Sequence, residues 1–456
     1  MKNSTEFITK GNINKVIFTL SIPLMFNSLI RTLYSLTDGI YVSRISSEDF
    51  AATSFSRPVI FLFISVGLGV GVASTALMAQ SLGAKKDEKA KVYATYSVLI
   101  SFVLGVIFSI LGIIVTPFII RWMGAKGSFF DKTYIYLVTS FSGIIFDMTY
   151  FGFQSILNSQ GNTKAITIIS AISSITNVIL DPFFIFDKVL IFKGLNLGLM
   201  GAALATNVAK AFLVVMAIFV VKKESKIKLD FKNFKYDFKI VKQIFNLAVP
   251  ISFGNSGEAL GFTILNSFIQ SYGTVTIAAF AIGNRLSDLV NQAAMGIGMS
   301  LTGITGQNIG AGNIKRTKAI FKRANFWITI FSMISALIIL VFNNQLLSIF
   351  IKDNQETQLI KQASEYLAYT AGIIFFMGYF SSITGFFQGV GDTKITMIMS
   401  IARLWVLRLP LVRAFGKFSS LGSTGIWISM FISNFLIVLW GFIKYKQGKR
   451  MKKVLV

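Results

Sequence analysis

The sequence predicts an all-α polytopic membrane protein: twelve transmembrane helices in two pseudo-two-fold-related six-helix bundles with a central cleft. Three observations predict it. Of 456 residues, 54% are hydrophobic and only 14% are charged, with a mean hydropathy of +0.67, a balance that suits a chain solvated largely by lipid. Apolar runs long enough to cross a bilayer recur from end to end. The second half of the chain repeats the first.

The runs fall at 16–37, 53–79, 92–117, 133–157, 165–186, 196–221, 241–270, 276–304, 320–342, 365–388, 395–412 and 422–443. The first follows a polar start and continues without a small-residue cleavage site, so it is expected to remain as a span. In the second, Gly67, Gly69 and Gly71 make a GxGxG pattern. No strand precedes it, so close helix packing is the reading rather than a phosphate loop. The pairs Gly83-Ala84 and Gly310-Ala311, each followed by lysines, read as helix ends and tight cytoplasmic turns.

Shifting the chain by 227 residues aligns Leu20 with Leu247, Pro23 with Pro250, Gly69 with Gly296, Thr75 with Thr302 and Gln80 with Gln307. Gly161-Asn-Thr-Lys164 is echoed by Gly391-Asp-Thr-Lys394, and Gly198-x-x-Gly201 by Gly422-x-x-Gly425. Each repeat therefore holds six spans. An even number returns the second half to the orientation of the first, so the pseudo-axis runs along the membrane normal. The expected division is an N-lobe at 1–221, a basic, solvated cytoplasmic linker at 222–240 and a C-lobe at 241–456.

The net charge of +25 would suit nucleic acid if it lay on one solvated face. Instead, well over half of the 44 Lys and Arg fall in the N-terminus, the even-numbered loops and the C-terminus. That asymmetry places both termini in the cytoplasm of a plasma-membrane protein, next to anionic lipid, and gives no nucleic-acid partner. The chain has no Cys and no His, so disulfides, thiolate metal sites and His relays are excluded.

The polar groups inside the spans are the candidate functional residues. Asn177 and Asp181 lie four apart in an apolar run and share one helix face. An acid there costs about 2.5–3.5 kcal/mol on insertion scales. Pro182 follows and frees a backbone carbonyl one turn back. Two readings stay open: a site for a hard cation or a proton, or a neutral Asp hydrogen-bonded within the bundle. Asp38, in Thr37-Asp38-Gly39 near the end of the first span, either shares a cavity with Asp181 or is an exposed helix-end acid. Two acids in one cavity favour holding a proton or Na⁺ between them.

In the second repeat, Glu258 occupies the place of Arg31 under the 227 shift, which suits a pair across the cleft or two separate tasks. Glu258 is a second candidate for cation coupling. Asn284, Asp288, Asn291 and Gln292 form a polar stripe expected to face the bundle interior or the cleft. Asp147 reads as a structural hydrogen-bonding group. Lys210, Arg403 and Arg408 read as snorkelling cations or partners of bundle carbonyls.

These residues together resemble the multidrug and toxic compound extrusion family over essentially the whole chain, closest to its DinF-like branch. The features are the two parallel six-helix repeats, Thr37-Asp38, Gln80-x-x-Gly83-Ala84 echoed by Gln307-x-x-Gly310-Ala311, Asn177-x-x-x-Asp181-Pro182, Gly201-Ala-Ala-x-Ala-Thr206 and Gly391-Asp-Thr-Lys394. The resemblance implies a secondary active antiporter that exports amphipathic, often cationic, compounds, with H⁺ or Na⁺ as coupling ion, no other cofactor, and a monomer as the unit. It assigns Asp38, Asn177, Asp181 and Thr206 as cation ligands or proton acceptors, with Asp38, Asn177 and Asp181 as the metal set if Na⁺ couples. The connection from Asp181 to Thr206 is about seven residues longer than the family usually has, which puts the register of Thr206 in question. Another branch uses a C-lobe site. Glu258 matches its first acid, but Met377 stands where its second belongs. Asp288, Asn284 and Arg31 complete the secondary set. A lipid-linked precursor flippase of related ancestry is the alternative, kept open by Arg31, Arg57, Arg285 and Arg403. An enzyme or a channel finds no support in the motifs.

Overall fold

The computed structural model describes residues 4–348, 350–351 and 357–448. In chain order the elements are α1 (Ser4–Lys10), α2 (Ile13–Ser43), α3 (Ser47–Gly83), α4 (Asp87–Trp122), α5 (Gly127–Ser142), α6 (Ile144–Ser159) and α7 (Thr163–Ile185). A hairpin of β1 (Lys188–Val189) and β2 (Phe192–Lys193) leads to α8 (Gly198–Glu224), α9 (Phe238–Gln270), α10 (Thr274–Gly310), α11 (Ile314–Val341) and α12 (Asn343–Ser348). The chain closes with α13 (Thr357–Val390), α14 (Thr393–Ile401), a π-helical turn at Ala402–Arg408, α15 (Leu409–Phe418) and α16 (Ser423–Gln447).

Among the described residues, ten helical segments are long and apolar enough to cross a membrane, counting α5 with α6 and α14 through α15 as one each. The exceptions among the expected twelve are α9 and α10. Both are long helices, but Glu258 on one and Asn284, Arg285, Asp288, Asn291 and Gln292 on the other lower their hydropathy. Several helices overrun the expected spans by a turn, because their polar ends stay helical beyond the apolar run.

Two compact units make up the chain. One runs from Phe26 to Ser252; the other joins the residues up to Met25 to those from Phe253 onward. Each change of unit falls two residues past a proline inside a helix, Pro23 in α2 and Pro250 in α9. These prolines are equivalent under the 227 shift.

The repeat is also visible in how helices stop. After Gly83-Ala84, Lys85 takes a φ of 58°, and after Gly310-Ala311, Gly312 takes a φ of 73°. The next amide reaches back five residues in each case, Lys86 N to Ser81 O and Asn313 N to Asn308 O, both at 2.9 Å. Gly161 and Gly391, at 74° and 88°, close α6 and α13 with the same bond, Asn162 N to Leu157 O and Asp392 N to Phe387 O. This is the left-handed C-terminal stop that glycine permits most cheaply.

Within the first unit, α7 packs along α8, and α6 packs against α3, α4 and α8. The basic segment 222–240 belongs to this unit. Its lysines are exposed, as a solvated linker requires, but its backbone is pinned. Gln160 bonds Ser225 Oγ and the Lys226 amide, each at 2.8 Å. Tyr96 on α4 donates to Lys235 O at 2.7 Å and accepts from the Asp237 amide. Asp230 pairs with Lys91 at 3.1 Å. Hydrogen bonds from Asn233, and then from Lys91, hold the Asp230 carboxyl down to about 2.

Within the second unit, α10 packs along α13, which also touches α11 and α16. Helix α1 buries Ile8 in this core, and its carbonyl accepts from Asn308 at 3.3 Å and Arg316 at 3.2 Å.

Candidate functional site

Three helices of the first unit each present a pair of polar residues four apart: Tyr34 and Asp38 on α2, Asn177 and Asp181 on α7, Thr206 and Lys210 on α8. Each pair lies on one helix face. Small residues bring α7 and α8 together: Ala202, Ala205 and Ala209 are buried, Gly201 lies against the backbone of Phe184, and Ser173 Oγ donates to Ala209 O at 2.8 Å. Helix α7 runs through Pro182 to Ile185. The proline removes one hydrogen bond in the last turn without breaking the helix.

Asn177 Nδ2 donates to Asp181 Oδ1 at 3.1 Å and lies 3.4 Å from Thr206 Oγ1. Tyr34 Oη is 3.4 Å from the same Thr206 oxygen. Thr206 thus enters the cluster despite the long connection. The insertion is absorbed by the β1–β2 hairpin, which is fastened to α7 by Leu195 N to Phe183 O and Leu197 N to Phe184 O. Asp181 is fully buried and Asn177 nearly so. Asn177 Oδ1 and Asp181 Oδ2 are buried without a hydrogen-bond partner among the described residues. Leaving such groups unsatisfied costs about 1–3 kcal/mol each, so the cluster favours a proton or a small cation at these oxygens.

Asp38 is half-buried and is not an exposed helix-end acid. It lies within electrostatic reach of Asp181 and Tyr34, and of the cations Arg57 and Lys210. Tyr136 on α5 lies within reach of both acids. Asp147 on α6 and Lys210 form an ion pair at 2.7 Å, so Lys210 pairs with a carboxylate rather than snorkelling. Tyr34, Tyr136 and this pairing are additions to the sequence reading. Tyr34 and Lys210 carried a signal, since each sits four residues from an assigned ligand.

No group of three or more Asp, Glu, His or Cys able to hold a metal occurs among the described residues. The donors at hand are two carboxylates, an amide and two hydroxyls. They fit a proton or a monovalent hard cation better than a divalent one.

The secondary candidates separate. Glu258 on α9 pairs with Arg403 on the π-helical turn. Asn284 accepts from Tyr366 Oη at 2.6 Å. Asp288 is exposed, whereas Asn291 in the same stripe is buried. Arg31 is exposed and makes no ion pair among the described residues, and Glu258 is held by Arg403, so of the two readings for these residues the structure favours separate tasks. Arg403 and Arg408 do not snorkel, being completely buried.

A bundle of long apolar helices with ionisable groups gathered inside one unit defines a multi-pass membrane protein. The MatE family model matches residues 23–183 and 250–412, more than half of the 456 residues, and the chain belongs to that family. It is 25% identical over 454 residues to a Bacillus subtilis (strain 168) protein described as probable multidrug resistance protein YoeA, covering 98% of this chain and 96% of that one. It is likewise 25% identical over 449 residues to the multidrug export protein MepA of Staphylococcus haemolyticus (strain JCSC1435), covering 98% and 96%. A solved structure described as the outward-facing conformation of a multidrug resistance MATE family transporter of the MOP superfamily superposes with a TM-score of 0.90 at 24% identity, covering 98% of each chain. That likeness concerns the fold.

Proposed function

We propose that the chain is a secondary active efflux antiporter in which inward H⁺ or Na⁺ drives outward movement of amphipathic, often cationic, organic compounds by alternating access. The observation that carries this reading is the pair of buried oxygens without donors, Asn177 Oδ1 and Asp181 Oδ2, beside a second acid, Asp38. Glu258 already has a cation in Arg403, which favours the N-lobe cluster as the coupling site. The named relatives are multidrug resistance and export proteins, which supports small-molecule cargo.

Occupancy of Asp181 and Asp38 biases the first unit between two packings by the difference in ion affinity of the two states. At about 100 mV, each inward charge supplies roughly 2.3 kcal/mol, about 50-fold accumulation. The distribution of Lys and Arg supports a plasma-membrane location with both termini cytoplasmic, and the internal repeat supports a monomer. The DinF-like assignment belongs to the same reading. The test is dye transport in proteoliposomes with pH and Na⁺ gradients imposed separately. Uptake driven by one gradient is the expected result; transport indifferent to both overturns the antiport reading.

A further inference from the structure

The second unit buries two arginines close together. Arg403 and Arg408 stand five residues apart within the π-helical segment Ala402–Arg408. In an α-helix, residues five apart point about 140° away from each other; the wider i→i+5 turn brings them towards one side. Both guanidiniums are completely buried and lie within electrostatic reach of each other and of Glu258. Two like charges held together in an apolar core demand compensation.

The compensation present is incomplete. Arg403 Nη2 pairs with Glu258 Oε1, and Nη1 lies 2.9 Å from Met377 Sδ and 3.5 Å from Asn434 Oδ1. Its guanidinium also lies over the Phe380 ring at 4.4 Å, yet its Nε is buried without a hydrogen-bond partner among the described residues. Arg408 donates from Nε to Ser433 Oγ at 3.0 Å and lies 5.7 Å from the Phe262 ring. Among the described residues one carboxylate, Glu258, therefore answers two guanidiniums. Asp288 reaches Tyr366 electrostatically and forms no ion pair with either arginine among the described residues. Glu258 is also the accessible member, its side chain 27% exposed against 0% for Arg403.

We propose that Arg403 and Arg408 form a carboxylate-binding site in the second unit, with Glu258 as a tethered occupant that the carboxylate of an aromatic amphipath displaces. The guanidinium fork matches a carboxylate in two parallel hydrogen bonds. The unbalanced charge is one, which suits a monoanion, and the Phe262 and Phe380 rings supply an apolar wall. The site extends the cargo class beyond cations to carboxylates and zwitterions, and it does not rest on the first unit's acids.

The test is equilibrium binding to the purified full-length protein, with 1-naphthoate as probe and 1-naphthamide and 1-naphthylmethylammonium as the neutral and cationic analogues. Glu258→Gln removes the tethered competitor and is expected to tighten 1-naphthoate at least threefold. Arg408→Gln is expected to weaken it at least tenfold while leaving the ammonium probe within twofold; Arg408→Lys replaces it if the glutamine variant does not fold. Failure of acetate to compete supports an aromatic carboxylate as the occupant, and competition by acetate as strong as that by unlabelled 1-naphthoate overturns it. Equal affinity of wild type for the naphthoate and the amide overturns the proposal, as does unchanged or weaker naphthoate binding in a folded Glu258→Gln variant. Loss of ion-driven transport in Asp181 variants leaves these outcomes untouched, so the two readings fail separately.

Discussion

Asn177 donates its amide to Asp181 Oδ1 at 3.1 Å, and each of the two side chains retains one buried oxygen that receives no hydrogen bond among the described residues. On the proposed function, these two oxygens are where the driving ion or proton is held. Asp181→Asn keeps the shape and removes the charge, so no cation is drawn in and no proton exchanged. Dye efflux at equal expression is expected to fall at least tenfold in Asp181→Asn and in Asp38→Asn. Wild-type efflux in both would remove the first unit from coupling.

Thr206 and Tyr34 form the outer part of the same cluster, each hydroxyl 3.4 Å from its partner. A neutral hydrogen bond is worth about 0.5–1.5 kcal/mol net, roughly a 2- to 12-fold change in affinity. Thr206→Val and Tyr34→Phe are therefore expected to raise the concentration of driving ion needed for half-maximal transport by that factor, with the maximal rate kept. A loss as deep as that of Asp181→Asn would make the hydroxyls essential to the ion step itself.

Much of this site was legible as spacing. Asn177 and Asp181 stand out because polar residues four apart in an apolar run are costly, and the repeat exposes the helix stops at Gly83 and Gly310. What spacing does not carry is partnership between helices. Arg403 reads as a snorkelling cation or a partner of bundle carbonyls until Glu258, 145 residues earlier, is seen beside it. The π-helical turn is equally hidden, since nothing in the order of Ala402–Arg408 distinguishes an i→i+5 turn from an α-helical one. The hairpin at Lys188–Lys193 reads as added length, and only its bonds to Phe183 and Phe184 reveal why Thr206 stays in register.

The Asp147–Lys210 pair, mostly buried at 16% and 26% side-chain exposure, should behave as a unit. Removing one partner leaves a lone charge in a low-dielectric setting, a loss of about 3–5 kcal/mol. Asp147→Asn and Lys210→Met are each expected to lower thermal stability in detergent, and the double variant to recover most of it. Additive losses in the double variant would mean the two charges do not depend on each other.

The basic segment carries its own pH dependence. Asp230 is held down to about 2 by Asn233 and Lys91, against about 3.9 in an unfolded chain. A depressed carboxyl stabilises the segment fully above pH of about 4, and that contribution is lost as pH falls through 2. Pepsin cleavage within 225–237 is expected to accelerate across this window relative to an Asp230→Asn chain. Asn233→Ala should move the onset towards pH 4.

Gly201 faces the carbonyl of Phe184 so closely that a Cβ there meets backbone, not a movable side chain. Phe184 sits three residues past Asp181, so any shift in this contact displaces the last turn of α7 relative to α8. Overpacking of this kind costs about 1–3 kcal/mol. Because Asn177 and Thr206 meet at only 3.4 Å, a displacement of a few tenths of an ångström weakens the cluster as well as the fold. Gly201→Ala is expected to lower the melting temperature and to raise the half-maximal concentration of driving ion together. By contrast Gly127→Ala, at a position with nothing within 4 Å, should alter stability alone, through its φ of 57°. A Gly201→Ala protein that melts earlier but keeps its ion dependence would separate helix packing from the coupling site and detach Thr206 from it.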